Sequence, residues 1–160
     1  MENILLYPVQ ERKDLPKILE IQKEAFKQFY LKYRDKETSP YKEILQDIER
    51  KFAMANSRYY LIQVNFINVG FIRIITNRNK SAARISPMAI LPQFENRGYG
   101  KQAIYDIESR FPTIKEWNLD TIKQETKLIN FYLDLGYKCL DKEVVIHKGM
   151  HISYFRKTIQ

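Results

Sequence analysis

The sequence predicts a mixed α/β (α+β) domain, one sheet with helices on both faces, its elements ordered β-α-α-β-β-β-α-β-α-β-β. Three observations carry this prediction. Short apolar runs alternate with segments whose apolar residues recur at helical spacing. A strand–helix–strand unit over residues 82–122 requires a parallel crossover. On either side of it, neighbouring strands are joined by connections short enough for antiparallel hairpins.

Taken in order, Ile4–Val9 is a first strand. Asp14 offers an N-cap, with Leu15 and Pro16 in the first turn, where proline's missing donor costs little. Apolar positions 15, 18, 21, 25, 26 and 29 then predict a helix from Leu15 to about Tyr30. A second helix is expected from Ser39-Pro40 to near Met54, with the stripe Tyr41, Ile44, Leu45, Ile48 and Phe52. Tyr59–Val64 and Val69–Thr76 flank Asn65–Asn68 and form a hairpin, with turn-forming Asn68 and Gly70 nearby. Ala82–Leu91 is apolar toward its end, as suits a strand covered on both faces. A helix from Gly98 to Phe111 stops at Pro112, and Trp117–Ile122 is a strand. Lys127–Leu135 is a helix closed by Gly136, a good left-handed cap. Tyr137–Leu140, Val144–Ile146 and His151–Arg156 complete the chain as antiparallel strands.

No repeat, low-complexity tract or Pro/Gly/Ser linker interrupts these elements, so residues 1–160 read as a single domain. Folding at this length buries about 70% of the unfolded chain's surface, enough to dispense with disulfide or metal staples. The lone Cys139, in the apolar-aromatic run Tyr137–Leu140, is expected to be a small buried hydrophobe. His147 and His151 lack metal-ligand spacing and are expected as solvated loop residues; no metal site is expected. Neither a signal peptide nor an apolar run long enough to span a membrane is visible, so a cytoplasmic protein is expected. The net charge of +8 is uneven. Between residues 73 and 101, Arg73, Arg78, Lys80, Arg84, Arg97 and Lys101 stand against Glu95 alone, six bases to one acid. That concentration points to an anionic partner, either the phosphates of a small ligand or nucleic acid.

The segment Met88-Ala89-Ile90-Leu91-Pro92-Gln93-Phe94-Glu95-Asn96-Arg97-Gly98-Tyr99-Gly100-Lys101 specifies the chemistry. A strand ends at Pro92 and Gly-x-Gly opens a helix. Backbone N–H groups at a helix start lack intrahelical partners and lie at the positive end of the dipole. Glycines keep side chains out of a ligand's way, and Arg97 and Lys101 add charge, which together suit a pyrophosphate. The sequence holds no GxxxxGK[ST] loop, and Ala103 breaks the GxGxxG dinucleotide pattern.

Glu95-Asn96-Arg97-Gly98-Tyr99-Gly100 resembles motif A of the GNAT acetyltransferase superfamily, with Glu95 where Gln or Arg is usual. Tyr132-Leu133-Asp134-Leu135-Gly136-Tyr137 is similar to the family's Tyr-x-x-x-Gly-Phe/Tyr, and Glu125 stands where the family usually has Asn. The resemblance implies a mostly antiparallel six- to seven-stranded sheet and an acetyl-CoA-dependent N-acetyltransferase acting on a primary amine. It implies that residues Glu95 to Lys101 bind the pyrophosphate, and that the main chain of Met88, Ala89 and Ile90 pairs with the pantetheine arm, near Glu125. Met88 N–H is then the donor to the thioester oxygen, and Tyr132 the general acid for the departing thiolate. Arg84 and Arg73 are further candidates for the cofactor phosphates.

No general base stands out on the strand Ala82–Leu91; Glu24, Asp120 and Glu125 are candidates for a water-mediated relay. Phe26, Phe29, Tyr30, Tyr33 and Tyr41 lie where an amine acceptor would enter. The acceptor's identity and the oligomeric state, homodimer included, are open at this point. Two other readings are a CoA-binding module of the same fold without catalysis, and a basic nucleic-acid-binding domain. Against the second, the chain has no Lys/Arg-rich arm, zinc-finger spacing or RNP-like motif.

Overall fold

The computed structural model describes residues 2–160. Strand β1 (Leu5–Pro8) leads into α1 (Leu15–Tyr33) and α2 (Leu45–Ala53). Then come β2 (Ser57–Val64), β3 (Ile67–Thr76) and β4 (Ala82–Ile90), α3 (Tyr99–Arg110), β5 (Glu116–Ile122), α4 (Thr126–Asp134), β6 (Lys138–His147) and β7 (Met150–Thr158). The seven strands form one sheet in the order β1-β2-β3-β4-β5-β7-β6, antiparallel throughout except for the parallel β4–β5 contact. The expected class and element order hold. Among the described residues, no helix is long and apolar enough to cross a membrane.

Alternation along the strands builds two cores. On one face Ile62, Ile72, Ile85, Trp117, Leu119 and Phe155 pack with Ile104 and Ile107 of α3 and Tyr132 of α4. On the other, Tyr59, Leu61, Phe71 and Ala89 pack with Leu15 and Ile18 of α1 and Ile48 of α2.

Several expectations are corrected. Helix α1 runs to Tyr33, one turn past Tyr30, and ends at Arg34 in a left-handed conformation (φ 56°). Ser39-Pro40 starts only a 3-10 turn, Pro40–Lys42; Glu43 and Ile44 are extended. Helix α2 begins at Leu45, where the Asp47 carboxylate accepts the Ile44 N–H at 2.9 Å. The β2–β3 turn falls within the expected Asn65–Asn68 but is only Asn65-Phe66, both at positive φ (49° and 67°), the backbone that suits a tight hairpin. Gly70 lies inside β3, where a Cβ would sit 2.2 Å from the Ala89 carbonyl oxygen, so glycine permits the close approach of β4. Strand β4 is only half covered, with Ala83, Ile85 and Ala89 buried and the rest intermediate. The two strands expected between Tyr137 and Ile146 are one, β6, which absorbs its polar middle as a register shift between Cys139 and Glu143. As β6 is the sheet's outer edge, Cys139 is exposed, not buried.

One buried polar link orients α3. Glu108, 8% exposed, accepts Lys157 Nζ at 2.8 Å and the Tyr137 hydroxyl at 2.9 Å, joining α3 to β7 and to the start of β6. Removing one partner of such a pair strands the other charge in the interior. Glu108→Ala is therefore expected to cost about 3–5 kcal/mol, read as a shift of the urea midpoint at constant slope. A loss below about 1 kcal/mol would show that the pair is solvated and does not anchor α3.

Candidate active site

The sheet splits between β4 and β5. Their pairing covers only Ala82↔Glu116, Ala83↔Trp117 and Arg84↔Asn118. Beyond it, β4 stays on β3 as far as Gly70↔Ile90, whereas β5 follows β7 to Ile122↔Ile152. The register of β3–β4 shifts between Ile72 and Ile74, beside Pro87, which has no N–H to offer. Arg73 secures the irregularity: its guanidinium donates to the Ser86 carbonyl at 3.0 Å and to Ser57 Oγ at 2.9 Å, and lies over the Tyr59 ring. This buried arginine is a structural tie among three strands and is not available to phosphates.

Hydrogen-bond alternation fixes which groups line the gap. Leu91 N–H donates to the Val69 carbonyl at 2.8 Å. Antiparallel strands alternate bonded and non-bonded pairs, so Phe71↔Ala89 is bonded, and Met88 and Ile90 turn their N–H and C=O groups away from β3 toward the gap. Of the three residues expected along the pantetheine arm, Ala89 spends its main chain on Phe71.

At the end of β4 the chain makes a 3-10 turn, Pro92–Phe94, passes Asn96 at φ 62°, and enters α3 through Gly98 at φ 84°. Among the described residues, none of the backbone N–H groups from Asn96 through Lys101 has an acceptor. Glu95, Asn96, Arg97, Gly98 and Lys101 are exposed. Tyr99 contributes only its backbone, since its side chain is buried and its hydroxyl donates to Glu2 at 2.9 Å. The two glycines act differently. Gly98 supplies the left-handed N-cap, whereas a Cβ on Gly100 would lie 3.2 Å from the Phe131 ring, so Gly100 lets α3 start against α4. Arg97 sits over Phe94 and Lys101 near Tyr105, flanking the open N–H row with positive charge.

Tyr132 lies on α4 in the core on the α3–α4 side of the sheet. Its ring is packed among Phe131, Tyr137 and Phe155, and its hydroxyl has no partner among the described residues. Burial, with the charge of Asp120 behind it, raises its pKa above the ordinary phenol value, so the proton stays on oxygen at neutral pH. Gly136 (φ 95°) fixes this helix end: its N–H reaches the Leu133 carbonyl at 3.0 Å, and Tyr137 N–H reaches that of Tyr132 at 3.1 Å.

The three carboxylates considered as bases fall in different places. Glu24 is exposed on α1. Glu125, at the start of α4, accepts Lys32 Nζ at 2.7 Å and the Tyr33 hydroxyl, joining α4 to the end of α1. Burial opposes its charge, but these two donors prevail and hold its pKa below the usual glutamate value. Asp120 alone stands at the gap, on β5 two residues beyond the last β4–β5 pair. Its side chain is 39% exposed and 3.2 Å from Arg84. The protein packed around it raises its pKa above the ordinary aspartate value, against the opposing pull of Arg84 and Lys142. Arg84 itself lies on the sheet face opposite α3, since its neighbours Ala83 and Ile85 belong to the α3-side core. The basic window is thus dispersed: Arg73 is buried, Arg78 and Lys80 lie in the exposed β3–β4 connection, Arg84 is on the opposite face, and only Arg97 and Lys101 flank the N–H row.

Both histidines are engaged. His147 Nε2 lies 2.6 Å from the Tyr33 carbonyl, and His151 Nδ1 lies 2.6 Å from Glu143, which also pairs with Lys123 at 2.5 Å. Tyr30 stacks on Tyr41 with centroids 5.0 Å apart, and Phe26 meets Phe29 at 6.3 Å, so the aromatics of α1 and the following turn pack largely on one another. Sequence reasoning does not bring Arg84 and Lys142 together around Asp120. The polar alternation Asn118, Asp120 against apolar Trp117, Leu119 is the signal that β5 has a working polar face.

Among solved structures, the chain is similar to an acetyltransferase from Thermus thermophilus (TM-score 0.78, 16% identity, covering 99% of this chain and 100% of that one). It is similar also to the PaiA N-acetyltransferase of Thermoplasma acidophilum in complex with coenzyme A (0.72, 19%, 98% and 99%). A third likeness is to a spermidine N-acetyltransferase from Vibrio cholerae in complex with CoA and spermine (0.74, 15%, 98% and 95%). At such identities the likeness speaks for the fold. Sequence comparison with curated proteins finds no significant match. The residue profile of the acetyltransferase (GNAT) family, however, matches residues 15–137, taking in α1, the glycine-opened helix and the Tyr132–Gly136 helix end. On that match, the chain belongs to the GNAT acetyltransferase family.

Proposed function

We propose that the protein is an N-acetyltransferase that moves the acetyl group of acetyl-CoA to a primary amine by direct attack in a ternary complex. One observation carries the reading: the open N–H row from Asn96 to Lys101 runs on from the β4 edge at Met88 and Ile90 that β5 leaves free. The donor set fits a CoA-type ligand, because a row of N–H groups at a helix head suits a pyrophosphate and a free strand edge suits an amide-bearing arm. Neighbours solved with coenzyme A, and with acetyl-CoA and AMP, add support from the fold.

In this reading Glu95 to Lys101 hold the pyrophosphate through main-chain N–H groups, with Arg97 and Lys101 adding charge. Met88 and Ile90 align the pantetheine arm, and Glu125 borders it from the head of α4. Acetyl-CoA supplies an acyl group activated as a thioester. Met88 N–H stabilises the carbonyl oxygen as it gains negative charge. Asp120 receives the proton of the acceptor's ammonium group, freeing the lone pair that forms the C–N bond. Tyr132 gives its proton to the sulfur as the C–S bond breaks, a raised pKa keeping that proton in place until then; the second proton shed by the nitrogen as the amide forms restores the phenol.

Tyr132→Phe keeps the ring packing and removes the donated proton. CoA release across a panel of amines should show kcat reduced at least tenfold, as the loss of a general acid demands, with CoA affinity by calorimetry unchanged. Wild-type turnover in the Phe variant, where chemistry limits the rate, removes Tyr132 from the mechanism.

The raised pKa of Asp120 sets a pH signature. A carboxyl that holds its proton above the ordinary aspartate pKa of about 3.9 is still neutral where a free aspartate is charged. The acidic limb of kcat/KM should therefore rise through a pKa above that value, and Asp120→Asn should abolish the carboxylate's contribution to it. An acidic limb unchanged in the Asn variant assigns the base elsewhere.

A further inference from the structure

The sheet face turned away from α3 and α4 is covered by α1 and α2 over β2, β3 and β4; toward β5 and β7, Arg84, Asp120 and Arg156 keep partly exposed side chains on it. Register places the side chains that floor this open part. Arg84 pairs with Asn118, Asn118 with Arg156, and Asp120 with Tyr154, while the alternate residues Ala83, Trp117, Leu119 and Phe155 point into the α3-side core. The gap between β4 and β5 opens onto this floor at Asp120. A ligand held at the head of α3 occupies one side of the gap, so an acceptor approaches from this other side.

Charge on the floor is arranged asymmetrically. The Tyr154 ring is flanked by two cations: Lys142 Nζ lies 4.3 Å from its centroid and the Arg84 guanidinium carbon 5.9 Å. Arg84 pairs with Asp120 at 3.2 Å; Arg156 pairs with Glu116 at 3.6 Å and donates to Asn118 Oδ1 at 2.9 Å. Lys142, exposed on β6, has no carboxylate at ion-pair distance among the described residues. A polycation laid here meets Lys142, Arg84 and Arg156 against two carboxylates that are already paired. An amine that also carries an anionic group meets a complement for both ends.

We propose that this floor is the acceptor subsite and that Lys142, Tyr154 and Arg84 take the anionic group, carboxylate or phosphate, of an amine acceptor whose nitrogen is presented to Asp120. The proposal rests on the acetyl-transfer reading for the identity of the amine's reaction. Attraction to Lys142 works in partly exposed surroundings, so the preference for an anionic acceptor shrinks as salt rises.

The test is calorimetry on CoA-saturated protein with ethanolamine, O-phosphoethanolamine, β-alanine and spermidine, for wild type and Lys142→Glu. One or both anionic amines should bind at least tenfold more tightly than ethanolamine, with spermidine no tighter than ethanolamine. Comparing the phosphate with the carboxylate identifies which anion the floor prefers. Lys142→Glu should erase the preference while leaving CoA affinity and the thermal midpoint as they were. Spermidine binding the most tightly, no measurable binding of either anionic amine, or a preference that survives Lys142→Glu overturns the subsite. CoA release from acetyl-CoA separates this from the broader reading. Turnover of all amines at similar kcat/KM sinks the subsite and leaves acetyl transfer standing. An anion preference in binding with no CoA release from any amine does the reverse.

Discussion

Everything proposed for this protein depends on β4 keeping its bonds to β3 while abandoning β5 after Arg84. A strand that loses a neighbour exposes backbone donors and acceptors that water or a ligand must satisfy. Here those groups belong to Met88 and Ile90, and they line a gap that runs through the sheet. The separation is held by specific contacts. Arg73 ties Ser86 to Ser57 across three strands, and Gly70 lets the Ala89 carbonyl approach to where any side chain would collide. The gap is thus built into the folded state before any ligand arrives.

Around it, three helices are fixed by polar contacts. Glu108 fastens α3 to β7 and the start of β6, which steadies the helix whose first turn presents the open N–H row. Glu125 fastens α4 to the end of α1, and His147 brings the β6–β7 hairpin to the same α1 terminus through the Tyr33 carbonyl. Of the two side chains proposed for the chemistry, Tyr132 is buried on the α3–α4 side and Asp120 is partly open on the other. Their opposite surroundings suit opposite tasks: a phenol kept protonated by burial, and a carboxylate that solvent and acceptor can reach.

Most of the fold was legible because it rests on local patterning. The helical stripe beginning at Leu15, the Gly-x-Gly before α3 and the Tyr132–Gly136 helix end are each specified by neighbours in sequence. What could not be read depends on pairing between distant residues. Gly70 looks like a turn residue until β4 is laid beside it, and Asn65-Phe66 makes the turn with a phenylalanine at positive φ, against its side-chain preference. Cys139 sits in an apolar run, yet the run forms the sheet's last strand, so the pattern that signals burial ends at an edge. The charges between Arg73 and Lys101 look like one patch in sequence. Strand alternation and burial distribute them among an interior tie, the β3–β4 connection, the sheet face opposite α3 and a helix head. Asp120 was one of three equal carboxylates until register put it at the mouth of the gap.

Hydrogen exchange at the resolution of single amides, with and without acetyl-CoA, tests the central claim most directly. Ala89, bonded to Phe71, should exchange slowly in both states. Met88 and Ile90, together with the amides from Asn96 to Lys101, should exchange freely without ligand and become protected when acetyl-CoA is added. That alternation along β4, joined to a block at the head of α3, is the signature of a ligand lying along the gap. Protection that leaves Met88 and Ile90 unchanged, or that falls instead on β1 or β6, would contradict the account.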